Sequence, residues 1–353
     1  MSFSDNLLKW YDDQNIEFPW RNISNPYYTW VSEIMLQQTQ VKTVIPYFKK
    51  WIKNFPTIES VANAKDEEIF KNWEGLGYYK RALNLRQACI QIMNDEGLLY
   101  STSDQLIKLK GIGEYTASAI ASIAFNEVIP AVDGNVKRIM SRLLCIDQTK
   151  SKSNIKIKEN LNKNISQSRP GDFNQALMDL GRTTCTPKNP NCISCPIKNI
   201  CKAYKTKKIE CYPVKSSKIK KLPHYNIGVG VVWNNNKLLI TKRKKNQLLG
   251  GLWEFPGGKV QNNESIKNCI KREIKEELDI KVSVGSYITK VKHQYSHFKI
   301  TLYVYNCTFI SGELKCVEVD DWKWINTSEF DQYPFPRANH HIFSKLQSKE
   351  FSC

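Results

Sequence analysis

From residue 1 to about 201, apolar residues recur at three- and four-residue spacing, the period of amphipathic helices, and alternating runs are few. Val136, Ile139, Met140, Leu143 and Leu144 form one such stripe, with Lys137, Arg138 and Arg142 on other faces. A helix is predicted there, entered through Asp133 as its N-cap. From about 222 the texture changes to short β-rich runs, NIGVGVVW, KLLITKR, KITLYVYNCTF and DDWKWI, some separated by Asn- and Gly-containing turns. One helix is expected near 264–278 and another near 337–347. Between the halves, residues 202–221 carry eight lysines against one glutamate without apolar periodicity and read as a basic linker. The pattern therefore predicts a helical domain over 1–201, a linker over 202–221 and an α+β domain over 222–353.

At 353 residues, 41% apolar and 24% charged, the chain is long enough for two separate cores and has the make-up of a globular protein. No apolar run approaches membrane-spanning length. The opening MSFSDNLLKWYDDQ lacks the basic and apolar regions of a targeting peptide, so a cytoplasmic location is expected. A net charge of +18 changes the picture more, because it points to a polyanionic partner.

Of eleven cysteines, Cys185, Cys192, Cys195 and Cys201 fall in one C-x6-C-x2-C-x5-C stretch, while the other seven are scattered singly, as reduced thiols are. Four soft thiolates within seventeen residues suit either a tetrahedral zinc or a cubane iron–sulfur cluster, and the unequal gaps favour the cluster. A disulfide framework is the bland alternative and fits such a compact quartet poorly.

Two further features carry chemistry. Leu109–Ala117, LKGIGEYTA, reads as a helix-hairpin-helix turn in which Gly111 and Gly113 let backbone N–H groups face a phosphate at a helix N-terminus. Read alone, it is equally a plain helix–helix turn. Glu33 lies in WVSEIML, an apolar helix interior where an unpaired carboxylate is costly; either it has a chemical task or it makes a buried structural hydrogen bond. Asp133, beside the hairpin, is either a simple cap or a carboxylate facing a sugar whose developing positive charge it stabilises.

The segments PWRNISNPYYTWVSEIMLQQTQV (19–41), GLGYYKRALNL (75–85), LKGIGEYTASAIASIAF (109–125), AVDGNVKRIMSRLLCI (131–146), FNQALMDLG (173–181) and the cysteine quartet together resemble, in order, the MutY family of adenine-DNA glycosylases. The resemblance spans nearly the whole chain, since GGLWEFPGG (250–258) and SHF (296–298) resemble that family's reader domain. It implies a multidomain fold: an all-α helix-hairpin-helix glycosylase domain with a [4Fe–4S] cluster, then an α+β Nudix-like domain. The helical domain would comprise a six-helix-type subdomain over about 22–132 and a cluster subdomain from 1–21 and 133–201.

By the same resemblance Glu33 is the general acid toward adenine N7, and Asp133 the sugar-side stabiliser or transient nucleophile. Tyr115 and Asn135 line the same pocket. Trp20, Arg21 and Gln175 fall among the substrate-binding residues, Gln38 and Tyr78 contact or wedge the strand left behind, and Gly111 and Gly113 hold phosphate. Tyr115 stands where related glycosylases that also cut the backbone carry a lysine, so base hydrolysis with at most weak strand cleavage is expected. The implied partner is duplex DNA carrying adenine opposite 8-oxoguanine or guanine, bound by a monomer associated with DNA and with no membrane.

In the second half, Gly258 to Ile280 comes close to a full Nudix box, with Asp279 in place of its late glycine, a departure expected to distort the turn after the helix. Glu273, Glu276 and Glu277 would share one helix face, a possible magnesium site. Arg243, Phe255 and Asn339 match base-contacting positions of MutT. Two readings compete: a lesion reader through Tyr295, Ser296 and His297, or a domain that also hydrolyses 8-oxo-dGTP. A catalytically silent lesion-binding protein is a third.

Overall fold

The computed structural model describes residues 2–214 and 222–347. The chain divides into two compact units, Met1–Asn63 with Asn84–Ile219, and Ala64–Leu83 with Lys220–Cys353. The grouping of 64–83 with the second unit is not part of the sequence expectation, which ran the helical domain unbroken to 201.

Helices α1 (Phe3–Gln14), α2 (Pro26–Leu36), α3 (Val41–Asn54) and α4 (Ile58–Asn63) precede α5 (Asp66–Trp73), which belongs to the second unit. Then come α6 (Lys80–Asn94), α7 (Ser103–Leu106), α8 (Glu114–Phe125), α9 (Gly134–Leu144), α10 (Ser153–Asn164), α11 (Pro170–Thr183) and the short α12 (Lys202–Lys205). Local chemistry sets the ends of those that matter here. Asn25 caps α2 by accepting from the Tyr27 N–H, with Pro26 in the first turn where its missing N–H costs nothing. Asp133 caps α9, as its position before the apolar stripe predicts. The stripe itself, Val136, Ile139, Met140 and Leu143, is buried with Phe3 and Leu7 of α1, Ile157 and Leu161 of α10 and Phe173 and Leu177 of α11, in one core. Burying each large apolar side chain of this kind contributes about 1.5–3 kcal/mol. In the 109–113 turn Gly111 has φ +82, and a Cβ there would sit 2.6 Å from the Asn84 Cβ, so both the backbone and the space demand glycine.

The stretch read as linker is folded in its first part. α12 packs against α9, and the Arg142 guanidinium reaches the Tyr212 carbonyl at 3.0 Å. The local sequence hid this because the anchor lies some seventy residues away. Residues 215–221 of that stretch lie outside the described residues.

The second unit is built on one mixed sheet in the order β3-β2-β1-β6-β5, with β4 added to β1 and β7 to β2. Its strands are β1 (His224–Asn234), β2 (Lys237–Arg243), β3 (Trp253–Glu254), β4 (Gly257–Lys259), β5 (Lys281–Gln294), β6 (Lys299–Ser311) and β7 (Val319–Ile325). β1 and β6 run parallel and the other pairs antiparallel. α13 (Ile266–Leu278) and α14 (Arg337–Gln347) each contribute to a separate apolar cluster of this unit, so both faces of the sheet are covered. The residue read as a distortion, Asp279, ends α13 in the left-handed region at φ 60. Its carboxylate is paired with Lys275 and Lys315, so a short polar side chain does there what glycine usually does.

Residues 64–83 are held to this unit by several kinds of contact. The ring of Phe70 fills the space beside Gly251, and the Tyr79 hydroxyl donates to the Phe335 carbonyl at 3.2 Å. Glu67 pairs with Lys242, and Asp66 with Lys245 at 3.3 Å. The Glu74 carboxylate accepts from the Phe335 N–H (2.8 Å), from Lys71 (2.7 Å) and from His340 (3.1 Å).

Candidate active site

In the first unit the four residues proposed for chemistry come together. Glu33, on the apolar α2, is 6% exposed, and the Tyr115 hydroxyl at the start of α8 donates to its Oε2 at 2.9 Å. Asp133 spends Oδ1 on the Val136 N–H (2.7 Å), while its Oδ2 accepts from the Asn135 amide (2.8 Å). Burial pushes the Glu33 carboxyl up to about 7; the Tyr115 bond pulls it back, the charge of Asp133 raises it further and that of Arg21 lowers it. Burial, and then the charges of Glu33 and Asp133, likewise hold the Tyr115 phenol well above its ordinary value, so it serves as a donor.

Around this group stand residues that sequence reading missed. Arg138, 9% exposed, donates to the Asn135 Oδ1 (2.9 Å), the Gly181 carbonyl (2.6 Å) and the Cys185 carbonyl (2.9 Å). Gly181 lets α11 approach, because a Cβ there would stand 2.5 Å from the Asn135 Cβ. Asn174, fully buried, accepts from the Ala131 N–H and donates to the Ile129 carbonyl and the Ser122 hydroxyl, which fixes the strand of chain entering Asp133. Met178 offers its sulfur to the Tyr115 hydroxyl at 3.6 Å. The sequence offers no local hint of these roles, since Arg138 falls off the apolar stripe of α9 like any polar-face residue.

The other expected residues of this unit lie as follows. Arg21 is paired with Asp179 at 2.7 Å and lies within electrostatic reach of Glu33. Trp20 is buried between the rings of Phe18 and Phe48, a packing role. Gln175 is half-buried on α11, and Gln38 is exposed with φ 57 just after α2. Gly111 and Gly113 are exposed on either side of buried Ile112.

Cys185, Cys192, Cys195 and Cys201 line one cavity with Arg142, Leu180 and Ile197. All ten cysteines among the described residues are free thiols, which removes the disulfide alternative for the quartet. Burial, and then the neighbouring sulfurs against one backbone hydrogen bond, pushes the Cys195 thiol up to about 12. Arg142, 3% exposed, donates to the Cys185 Sγ at 3.3 Å and to the Thr186 carbonyl at 2.8 Å. Among the described residues, no three His, Cys, Asp or Glu side chains make a group that could hold a metal ion directly. The four sulfurs ring a cavity instead.

The glutamates of the second unit are engaged elsewhere. Glu273 and Glu276 are both bonded to Arg272, at 2.8 and 2.9 Å, and Glu277 turns inward to accept from the Gly257 N–H at 3.2 Å. The three therefore do not converge on one point, and the expected magnesium site finds no support among the described residues. They border a cavity of about 530 Å³ that Arg243, Glu254, Phe255 and Asn339 also line. Phe255 contributes by packing, edge-on to Phe330 and Phe343. Tyr295 is half-buried against Phe298, while Ser296 and His297 are exposed in the turn between β5 and β6. Tyr78, with φ 50, meets that turn: its hydroxyl and that of Ser296 are 2.6 Å apart.

Comparison with known proteins finds two family matches along the chain. Residues 31–167 match the HhH-GPD superfamily of base excision DNA repair proteins, and residues 228–345 match the NUDIX domain. A thermostable thymine-DNA glycosylase shares the fold of the first half at TM-score 0.53 and 26% identity, over 58% of this chain and 95% of that one. A trapped endonuclease III–DNA covalent intermediate does so at TM-score 0.51 and 25% identity, over 58% and 94%. The class is thus a helix-hairpin-helix base-excision repair protein with a Nudix domain behind it.

Whole-chain relatives narrow the class. An adenine DNA glycosylase of Buchnera aphidicola (strain Bp) is 36% identical over 98% of this chain and 97% of its own length. That of Mus musculus is 32% identical over 97% and 77%. The Arabidopsis thaliana adenine DNA glycosylase is 35% identical over 84% of this chain, which spans 56% of that protein. The chain belongs to the adenine DNA glycosylase family. Among its described residues no helix is long and apolar enough to cross a membrane.

Proposed function

We propose that this protein removes adenine mispaired with 8-oxoguanine, and less efficiently with guanine, from duplex DNA by hydrolysing its N-glycosidic bond. The observation that carries the reading is the buried Glu33 carboxyl at about 7, hydrogen-bonded to Tyr115 and facing the charge of Asp133. Two carboxyl groups in unlike environments divide acid and charge-stabilising work, as they do in glycoside hydrolysis.

Adenine leaves the duplex stack to reach such a pocket. Near neutral pH about half of Glu33 is protonated and gives its proton to N7 of the base as the bond from the sugar to N9 breaks. The bonding electron pair goes with the base. The positive charge left on the sugar faces the Asp133 carboxylate, which Asn135 and the Val136 N–H hold in place. Water then adds to the sugar carbon, and the Glu33 carboxylate takes its proton. Tyr115 provides no amine for a Schiff base, so the phosphodiester backbone is left intact.

Cys185, Cys192, Cys195 and Cys201 would hold a [4Fe–4S] cluster, since four thiolates around a cavity suit a polynuclear centre. Bound there, it supplies metal–thiolate bonds that fix the 185–201 loop, whose Cys185 carbonyl in turn holds Arg138.

For the second unit, the turn Tyr295-Ser296-His297 is the lesion reader. Arg272 holding Glu273 and Glu276 favours this over 8-oxo-dGTP hydrolysis, because magnesium bridging of phosphates needs those carboxylates free.

The test is single-turnover base release from duplexes with adenine opposite 8-oxoguanine, guanine or thymine. Release should be fastest opposite 8-oxoguanine and absent opposite thymine. Tight binding of the 8-oxoguanine duplex with no adenine released would instead establish a silent lesion-binding protein. Ser296→Ala with His297→Ala should erase the preference for 8-oxoguanine over guanine while adenine is still released.

A further inference from the structure

The turn from Tyr295 to Phe298 stands on a basic platform. β5 and β6 meet in the register Gln294↔Lys299, His293↔Ile300 and Lys292↔Thr301, and β1 adds His224↔Lys299 from the other side. Side chains alternate across a sheet, so the register decides which of them share a face. Ile300, Leu302 and Val304 are buried in the core beside α14, and His293 and Val291 lie opposite them on that face. Lys292, Gln294, Lys299, Thr301 and His224 therefore project together from the other face.

The arrangement is a recess rather than a scatter of surface lysines. His224, Lys292, Gln294, Lys299 and Thr301 line a hollow of about 350 Å³ together with His293 and Ile300, and no acidic side chain is among the described residues that line it. Thr301 is 2% exposed at its floor, and the His224 ring is fixed by a 2.9 Å hydrogen bond between its Nε2 and the Thr301 hydroxyl. The lysines stand at the first and third strand positions from the turn, about 6–7 Å apart along the strand direction. Two cations so spaced follow a length of polyanion instead of converging on one oxygen.

We propose that Lys292, Lys299 and His224 seat the phosphodiester backbone of the lesion strand, next to the nucleotide whose base meets Ser296 and His297. The inference rests on the reading of that turn as the lesion reader. It assigns the two tasks to different side chains of one hairpin: the turn discriminates the base, and its root holds backbone without regard to sequence.

The experiment uses the full chain and fluorescence anisotropy with a duplex carrying adenine opposite 8-oxoguanine and its guanine counterpart, over a range of salt. Lys292→Ala with Lys299→Ala is compared with a control pair at the opposite end of the same sheet, Lys237→Ala with Lys281→Ala, both exposed. Loss of two phosphate contacts should make the slope of log K against log salt shallower by about 1.8. The affinity ratio between the two duplexes should stay at the parent's value, because backbone contacts do not read the base. A slope equal to the parent's, or an equal change in the control pair, would overturn the seat. The underlying reading fails separately: if Ser296→Ala with His297→Ala keeps the 8-oxoguanine preference while the lysine pair flattens the slope, the backbone seat stands and base discrimination lies elsewhere.

Discussion

The Tyr115 hydroxyl donates to the Glu33 Oε2 at 2.9 Å, joining the first turn of α8 to the middle of α2 and placing a donor on a carboxyl that burial has already pushed up to about 7. The pair explains why a glutamate is tolerated in an apolar helix: mostly protonated below neutral pH, it carries a proton that the pocket can give away.

The acid role is testable by its pH dependence. Single-turnover adenine release should be flat below about pH 7 and fall tenfold per unit above it, as the proton on Glu33 is lost. Glu33→Gln should bind duplex as the parent does while release drops by at least about 10²–10⁴-fold, the usual worth of a general acid. Turnover within tenfold of the parent, or a profile unmoved by the substitution, would remove Glu33 from the acid role.

The same burial has a stability signature. A carboxyl raised from 4.5 to about 7 on folding binds more protons in the folded state across that window, so stability is full below about pH 4.5 and declines as pH rises through 7. The loss is about 3 kcal/mol at 1.36 kcal/mol per unit. Glu33→Gln escapes it. Urea unfolding should find the variant more stable than the parent by about that amount at pH 8 and equal to it at pH 4.

Much of this site was readable in the sequence because its signals are local. Asp133 precedes an apolar stripe, Glu33 interrupts one, the four cysteines sit within seventeen residues, and the change from helical to alternating pattern falls near 222. What could not be read depends on long-range partners. Arg138 and Arg142 look like polar-face residues of α9, yet both are buried, because the chain around Cys185 brings its carbonyls to them. Ile69, Phe70 and Trp73 read as an ordinary helix face, and nothing local says that the face belongs with a sheet beginning at His224. The expected convergence of three glutamates failed for a related reason: i, i+3 and i+4 spacing fixes a face, but the neighbouring Arg272 decides where the carboxylates go.

The close approach of α11 to Asn135 gives a third prediction. Gly181→Ala puts a methyl 2.5 Å from the Asn135 Cβ and 3.3 Å from the Arg138 Nη2, so Asn135 must shift from Asp133. Adenine release should fall about 10–100-fold, as small misplacements of catalytic groups do, with about 1–3 kcal/mol lost in stability from overpacking. Equal kinetics with the same stability loss would show that Asn135 is not needed to hold Asp133.

A fourth concerns the thiolates. The purified protein should be brown, with iron and acid-labile sulfide in matching amounts, and Cys195→Ser should lose both along with DNA binding or folding before it affects chemistry in the protein that remains folded. One zinc per chain and no sulfide would overturn the cluster in favour of a mononuclear site.

The segment 64–83 should contribute to the stability of the second unit itself, and Glu74 is the residue that tests it. Against the cost of burial, its bonds from His340, Lys71 and the Phe335 N–H hold the carboxyl below its ordinary value. A depressed carboxyl stabilises the fold above its unfolded value near 4.5, and that contribution is lost as pH falls through the folded value. Glu74→Ala leaves the Phe335 N–H without its acceptor, at a cost of about 1–3 kcal/mol. Glu74→Gln keeps an acceptor for that N–H and should cost less. Hydrogen exchange in the full chain at pH 7 should show faster exchange at Phe335 and through the first turns of α14 in Glu74→Ala, with the difference from the parent shrinking toward pH 4. Unchanged protection in the alanine variant would mean that the segment merely rests on the sheet. If protection is lost as expected, residues 222–353 produced alone, without Phe70, Glu74 and Tyr79, should be less stable than the same residues in the intact protein, and any assay for nucleotide hydrolysis must use the full chain.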